Sequence, residues 1–113
     1  MSLAPVTEVA ALAQAIAEHE AVWVLFGGAH CGVCQVIKPQ LEQAMAARLP
    51  LMKGFYVDAA ASPAVSAQAS VFSLPVVRAY IDGQLTLEAG KAFSVGGWVD
   101  ALARPYALRF GST

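Results

Sequence analysis

The run AVWVLF, residues 21–26, is apolar at every position and rich in residues that favour β-strands. A strand with one solvent-facing side alternates apolar and polar residues, whereas a strand covered on both faces does not. The run therefore predicts a central strand with other structure packed against both faces of its sheet. It is far too short to cross a bilayer, which takes about 20 apolar residues.

The rest of the chain supplies elements that would cover such a strand. Apolar residues at helical spacing predict one helix capped by Thr7 and a second one that Pro39 is expected to kink. Ser94 is expected to cap the last helix, and Pro105 to end it. The predicted elements are helix 7–19, strand 21–26, helix 32–48, strand 54–58, helix 63–70, strand 76–81, strand 84–88 and a helix over about 95–105.

Two alternating runs, VVRAYI and QLTLE, are joined by Asp82-Gly83, the strongest short signal for a β-hairpin. The order of elements predicts an α/β fold: a central mixed sheet, parallel at its centre and flanked by helices, with a C-terminal hairpin and helix. With 113 residues the chain is expected to form a single domain, 1–113. Within it, residues 1–3 are interpreted as a possible cloning remnant, and residues 106–113 as a tail that is partly ordered at best.

Charge and N-terminal sequence exclude several classes of partner. Seven basic and eight acidic residues give a net charge of −1, so the protein has no excess positive charge to attract the phosphates of a nucleic acid. No basic stretch precedes an apolar segment at the start, so neither export nor a membrane is indicated. We expect a cytoplasmic protein, with the periplasm left open if the native start was trimmed, and a monomer by default.

The segment GAHCGVCQVIKP holds the only two cysteines, Cys31 and Cys34. They could be a redox pair, part of a metal site or two inert core thiols. A closed zinc site needs two more ligands, for which only His19 and His30 are obvious, so no metal is expected. Cys31 is predicted at a helix start, where free amides and the helix dipole favour a thiolate. Cys34, one turn further on, is predicted to be shielded.

The strand, CxxC motif and following helix resemble the thioredoxin family. Three further features match that family: Pro39 five residues after Cys34, Leu74-Pro75 at the position of its cis-proline, and Asp82-Gly83 at its hairpin turn. The segment KAFSVGGWVDAL is also similar to the start of the family's last helix, and the likeness covers about residues 3–105. It implies the thioredoxin fold.

The resemblance also implies a function: a thiol–disulfide oxidoreductase in which Cys31 attacks a substrate disulfide and Cys34 resolves the mixed disulfide. No bound cofactor is needed, because the cysteine pair carries the electrons. The implied partners are disulfide-containing proteins, with a reductase or glutathione as the electron donor. Pro75 would lie beside the cysteines, and the backbone of Leu74 would pair with an extended substrate. The substrate-binding residues are expected to be Gly32, Phe72, Ser73, Leu74, Gly90, Lys91 and Ala92.

The sequence departs from the family at the site itself. Leu25 occupies the place of a buried aspartate thought to move the proton of the resolving cysteine, and Asp58 could replace it, although a turn is the simpler role for Asp58. Gly27 and His30 replace aromatic residues, which predicts a barer rim around the site. A rival interpretation follows from Leu25 and Gly27: a thioredoxin-like binding, assembly or chaperone module with weak redox activity.

Two neighbours of the cysteines are predicted to tune them. Val33 stands where the family often has proline, which restores an N–H donor near the Cys31 sulfur. A protonated His30 would act in the same direction. Because a stabilised thiolate favours the reduced pair, we expect this protein to be less reducing than an ordinary thioredoxin.

Overall fold

The computed structural model of the protein describes residues 3–111. Most of the predicted remnant and the last two residues of the predicted tail therefore lie outside the described residues. The elements are β1 (Ala4–Pro5), α1 (Val9–Glu18), β2 (Ala21–Gly27), α2 (Gly32–Arg48), β3 (Lys53–Asp58), α3 (Pro63–Gln68), β4 (Val76–Ile81), β5 (Gln84–Gly90) and α4 (Val95–Phe110).

The five strands form one mixed sheet in the order β1-β3-β2-β4-β5. β2 lies at the centre, parallel to β3 and antiparallel to β4. β1 extends the parallel side and β5 the antiparallel side. The predicted fold class is confirmed. β1 was not predicted, because two residues are too few to show a period.

Every residue of β2 is buried, and its side chains alternate between two cores. Val24 and Phe26 pack in a cluster with Leu12 of α1 and Val65 of α3. On the opposite face, Trp23 and Leu25 belong to a cluster that includes Leu41 of α2 and Leu102 of α4. The continuous apolar run is thus explained by helices on both faces. Each fully buried large side chain of this strand contributes about 1.5–3 kcal/mol relative to exposure.

The predicted hairpin is present between β4 and β5. Ile81 pairs with Gln84, which leaves Asp82 and Gly83 as a two-residue turn. Both turn residues have positive φ, 52° and 79°, as a type I′ turn requires. The hairpin places β5 at one edge of the sheet and brings the residues after it back toward the N-terminal end of β4.

Two predicted helix boundaries were wrong. Glu8, not Thr7, is the N-cap of α1, and its side chain makes no capping hydrogen bond. α4 does not end at Pro105 but continues to Phe110, so residues 106–110 of the predicted tail are helical. The cost of a proline inside the helix is offset by packing, because Tyr106 and Phe110 contact the core cluster beneath α4. In residues 3–111, no helix combines the length and apolar character needed to span a bilayer.

Candidate active site

Cys31 and Cys34 form a disulfide at the junction between the central strand and α2. Cys31 is the N-cap of α2, and Cys34 lies within its first turn, with Cα atoms 5.2 Å apart. Cys34 is fully buried, whereas Cys31 is partly exposed. A partner sulfur can therefore approach Cys31 from solvent, while Cys34 is held behind it.

The start of α2 directs a backbone donor at the Cys31 sulfur. The N–H of Cys34 donates to Cys31 Sγ at 3.2 Å. The preceding loop is held in place from Gly28, whose carbonyl accepts from the Cys31 N–H at 3.2 Å and from Gln35 Nε2 at 2.9 Å. In this disulfide form the donor to Cys31 is Cys34 rather than Val33, so the predicted role of Val33 concerns the reduced state. A negative charge on Cys31 would be favoured here.

The segment around Pro75 lies against the cysteine loop. The Leu74–Pro75 peptide bond is cis. A methyl group placed on Gly28 would lie 3.5 Å from Leu74 Cδ1, which puts the Leu74 side chain beside the loop before Cys31. The Pro75 carbonyl accepts from the Lys91 N–H at 2.9 Å, and Gly90 pairs with Val76. The structure thus brings Pro75, predicted to lie beside the cysteines, together with Leu74, Gly90 and Lys91, which were predicted to bind substrate.

The other predicted binding residues are mostly solvent-exposed. Gly32, Ser73, Lys91 and Ala92 are all exposed. Phe72 is 84% exposed, next to a shallow apolar depression lined by Val71, Leu74 and residues of α3. An aromatic ring so open to water, close to Leu74, is available for contact with a partner.

Neither His30 nor Asp58 makes a hydrogen bond to the cysteine side chains within residues 3–111. The His30 side chain is exposed and makes no hydrogen bond with the rest of residues 3–111. Asp58 Oδ1 accepts from the backbone N–H groups of Ala60 and Ala61 at 3.0 and 3.1 Å, so Asp58 organises a turn. Across the described part of the chain, no three His, Cys, Asp or Glu side chains group as metal ligands.

Sequence reasoning missed Tyr56. It pairs with Leu25 across the parallel strands, on the sheet face that α2 covers. A methyl group placed on Gly27 would lie 2.9 Å from the Tyr56 hydroxyl and 3.1 Å from Cys34 Cβ. Burial first, and the charge of Asp58 second, raise the pKa of Tyr56 above its ordinary value. The signal available in the sequence was a glycine at the end of one strand with a tyrosine near the end of the next.

Comparison with known proteins agrees with this geometry. The family model described as Thioredoxin matches residues 4–98. No curated protein matches the sequence significantly. A thioredoxin structure from Plasmodium falciparum is 25% identical, with 93% of this chain and all of that chain covered and a TM-score of 0.78.

Two further structures show the same fold at lower identity. Thioredoxin from Trypanosoma brucei brucei is 20% identical, with 92% of this chain and 90% of that chain covered and a TM-score of 0.80. Oxidised mitochondrial thioredoxin 3 from Saccharomyces cerevisiae is also 20% identical, with 92% of each chain covered and a TM-score of 0.74.

A mixed sheet between two helical layers, with a cysteine pair at the start of the helix after the central strand, defines a thioredoxin-fold protein of the oxidoreductase type. The family match extends over most of the chain, and the chain belongs to the thioredoxin family.

Proposed function

We propose that the protein is a thiol–disulfide oxidoreductase acting on disulfide-containing proteins. The observation that carries the proposal is the position of Cys31: it caps α2, accepts a backbone N–H from Cys34 and is the partly exposed member of a disulfide whose other sulfur is buried. This arrangement separates a nucleophile open to partners from a resolving thiol that only the first sulfur can reach.

The reaction starts from the reduced pair. The Cys31 thiolate attacks one sulfur of the substrate disulfide, a bond forms between them, and the second substrate sulfur leaves as a thiolate that takes a proton from water. The Cys34 thiolate then attacks Cys31 Sγ, which closes the Cys31–Cys34 bond and releases the first substrate sulfur. Two electrons pass from the pair to the substrate, and no bound cofactor takes part.

A reductase or glutathione returns the pair to the dithiol form in this scheme. We place the protein in the cytoplasm, because that compartment keeps thiols reduced. We further propose that it acts as a monomer. The substrate would lie across Gly32, Leu74 and the Gly90 to Ala92 segment. There it would pair with the Leu74 backbone as an added strand does. His30 stays a candidate for tuning the thiolate through its charge.

We also propose that the Cys31–Cys34 pair is less reducing than an ordinary thioredoxin, whose reduction potential is about −270 mV. Its support is the donor at the Cys31 sulfur and the presence of Val33, which keeps its own N–H. Equilibration of the protein with glutathione buffers of known ratio measures this potential. We expect a value above that of thioredoxin, and a value at or below it contradicts this part of the proposal.

Insulin reduction tests the activity itself, with Cys31→Ser as the control. We expect the wild-type protein to reduce insulin and Cys31→Ser to be inactive. Cys34→Ser should accumulate a mixed disulfide, which provides a way to identify partners. If wild type and Cys31→Ser are equally inactive while both are folded, the protein is not an oxidoreductase.

A second candidate is a thioredoxin-like binding, assembly or chaperone module. The observation that favours it is the fully buried, apolar Leu25 at the place where the family has an acid, together with the exposed apolar side chains Val33, Val36 and Phe72 near the cysteines. This module would bind partners through that surface without turnover. Partner binding that survives in Cys31→Ser, with no insulin reduction by wild type, would support it.

A further inference from the structure

A polar group near Cys34 would assist the resolving step, because a buried thiol loses its proton less readily than an exposed one. The strand residue beneath the pair, Leu25, is apolar and fully buried. The carboxylate of Asp58 is bound to the backbone of its own turn. Leu25 offers no polar group, and Asp58 Oδ1 is held by two backbone N–H groups. The hydroxyl of Tyr56, in contrast, faces the Cys34 side chain across the Gly27 position.

The Tyr56 hydroxyl and the Cys34 side chain face each other across the position of a missing side chain. A Cβ on Gly27 would lie 2.9 Å from the Tyr56 hydroxyl oxygen, closer than real Cβ atoms approach other atoms, and 3.1 Å from Cys34 Cβ. The hydroxyl and the Cys34 side chain therefore flank the same small space. Gly27 is the residue that keeps this space free of other side chains.

The charges facing Tyr56 come from two elements. From α2, Lys38 Nζ lies 5.4 Å from the centre of its ring and also 3.7 Å from Glu42 Oε2. Burial first, and the charge of Asp58 on β3 second, raise the pKa of Tyr56 above its ordinary value of about 10. The hydroxyl thus keeps its proton at neutral pH and can donate a hydrogen bond.

Tyr56 also borders solvent. Together with Ala29, Gln35, Lys38 and Asp58 it lines an open depression of about 300 Å³. The depression lies at the end of β3 and the start of α2, on the sheet face where Tyr56 packs, whereas Leu74 packs on the opposite face. Water there can take up a proton leaving Cys34 while a substrate occupies the other side.

We propose that the Tyr56 hydroxyl donates a hydrogen bond to the Cys34 thiolate during the resolving step, in place of the buried acid that the chain lacks. The inference rests on the proposed oxidoreductase function. Cys34 loses its proton to water, its thiolate attacks Cys31 Sγ, the bond between Cys31 and the substrate breaks, and the substrate sulfur leaves with the electron pair. Tyr56 keeps its own proton throughout.

The titration of Cys34 tests the proposal directly. In Cys31→Ser, Cys34 is the only thiol, and its thiolate absorbance can be followed against pH. Adding Tyr56→Phe should move the midpoint up by about one pH unit, which lowers the thiolate fraction about tenfold at neutral pH. Tyr106→Phe is the matched control, because its hydroxyl instead accepts from the Leu51 N–H. An unchanged midpoint in folded Tyr56→Phe overturns the inference.

Gly27→Ala provides a second variant that keeps the hydroxyl but places a Cβ 2.9 Å from it and 3.1 Å from Cys34 Cβ, so the two side chains must move apart. It should shift the Cys34 midpoint in the same direction, and combining it with Tyr56→Phe should add little. A full additional shift in the double variant would mean that Gly27 acts by another route, and would count against the proposal.

Single-turnover kinetics separate this inference from the proposed function. Tyr56→Phe should slow release of the substrate from the mixed disulfide about threefold, because a tenfold lower thiolate fraction is partly offset by the higher nucleophilicity of a less acidic thiol. The first attack by Cys31, measured in Cys34→Ser with and without Tyr56→Phe, should stay unchanged. Insulin reduction by wild type with equal release rates in Tyr56→Phe rejects only the role of Tyr56. Equal inactivity of wild type and Cys31→Ser rejects the oxidoreductase function itself.

Discussion

The backbone N–H of Cys34 lies 3.2 Å from the Cys31 sulfur, so the first turn of α2 places a donor on the atom that carries the negative charge after reduction. In the reduced protein, Val33 can add a second donor, since its N–H belongs to the same unpaired first turn. The number of donors at this turn is a property that a single substitution can change.

Val33→Pro should make the protein more reducing. Proline removes one N–H and is tolerated in the first turn of a helix, so the thiolate loses a donor without loss of the helix. We expect the potential to fall by roughly 30 mV, equivalent to about 1.4 kcal/mol for two electrons. Glutathione equilibration measures it, with the exposed Val36→Ala as the control. A potential that stays the same or rises would show that Val33 has no part in tuning.

Phe72→Ser should weaken activity toward a protein disulfide without destabilising the fold. The ring is 84% exposed beside Leu74, so it contributes little to the core and is free to contact substrate. We expect kcat/KM for insulin to fall about threefold to tenfold, because removing one apolar contact costs roughly 1 kcal/mol. Leu108→Ser, 78% exposed on the distant α4, is the matched control. Equal effects of the two variants would exclude a binding role for Phe72.

Phe110→Ala should lower the free energy of unfolding, because the helix beyond Pro105 is held by packing. The Phe110 ring contacts the core beneath α4 and lies 5.0 Å from the ring of Tyr106. Since Phe110 is only partly buried, we expect a loss of about 1–2 kcal/mol, less than for a fully buried aromatic residue. Urea unfolding compares it with Leu108→Ala, which should change little. Similar values for both would mean that this last turn does not stabilise the fold.

The difference at α4 shows what the sequence could predict of the fold and what it could not. The apolar run of β2 and the Asp82-Gly83 turn are local signals, and both were confirmed. Pro105 is also a local signal, but the packing of Tyr106 and Phe110 on a core assembled from distant segments outweighed it. Tertiary contacts of this kind have no short-range pattern.

The candidate site divides in the same way. Cys31 and Cys34 were predictable because their chemistry depends on position in one helix turn. Tyr56 was not, because its relevance depends on strand pairing with Leu25 and on the empty side-chain position at Gly27. A glycine at the end of one strand and a tyrosine near the end of the next are visible in the sequence, but without the strand register they do not show that Tyr56 lies opposite Leu25 and beside Gly27.

Tyr56 should make stability fall in alkaline solution. Its pKa is raised in the folded protein, so the unfolded chain releases the proton first as the pH rises. Stability from this residue is fully present below pH about 10 and is lost as the pH rises from there through the folded pKa. Unfolding midpoints measured against pH should decline less steeply above pH about 10 in Tyr56→Phe than in wild type. Parallel curves would contradict this effect.

Ser70→Gly should stabilise the protein. Ser70 follows α3 with φ of 60°, its N–H donates to the Ala67 carbonyl at 3.0 Å, and the Val71 N–H donates to the Ser66 carbonyl at 2.9 Å. These two bonds are those of a Schellman motif, in which the left-handed residue is usually glycine because a Cβ is disfavoured there.

We expect Ser70→Gly to gain about 1 kcal/mol in the free energy of unfolding, since the left-handed conformation costs a residue with a side chain roughly that much. Ala101→Gly, at an exposed position inside α4, should instead lose about 0.5–1 kcal/mol. A gain in the free energy of unfolding for Ser70→Gly and a loss for Ala101→Gly would show that backbone conformation, not side-chain contact, sets the effect at residue 70. A loss of stability in both variants would mean that the helix α3 ends differently in solution.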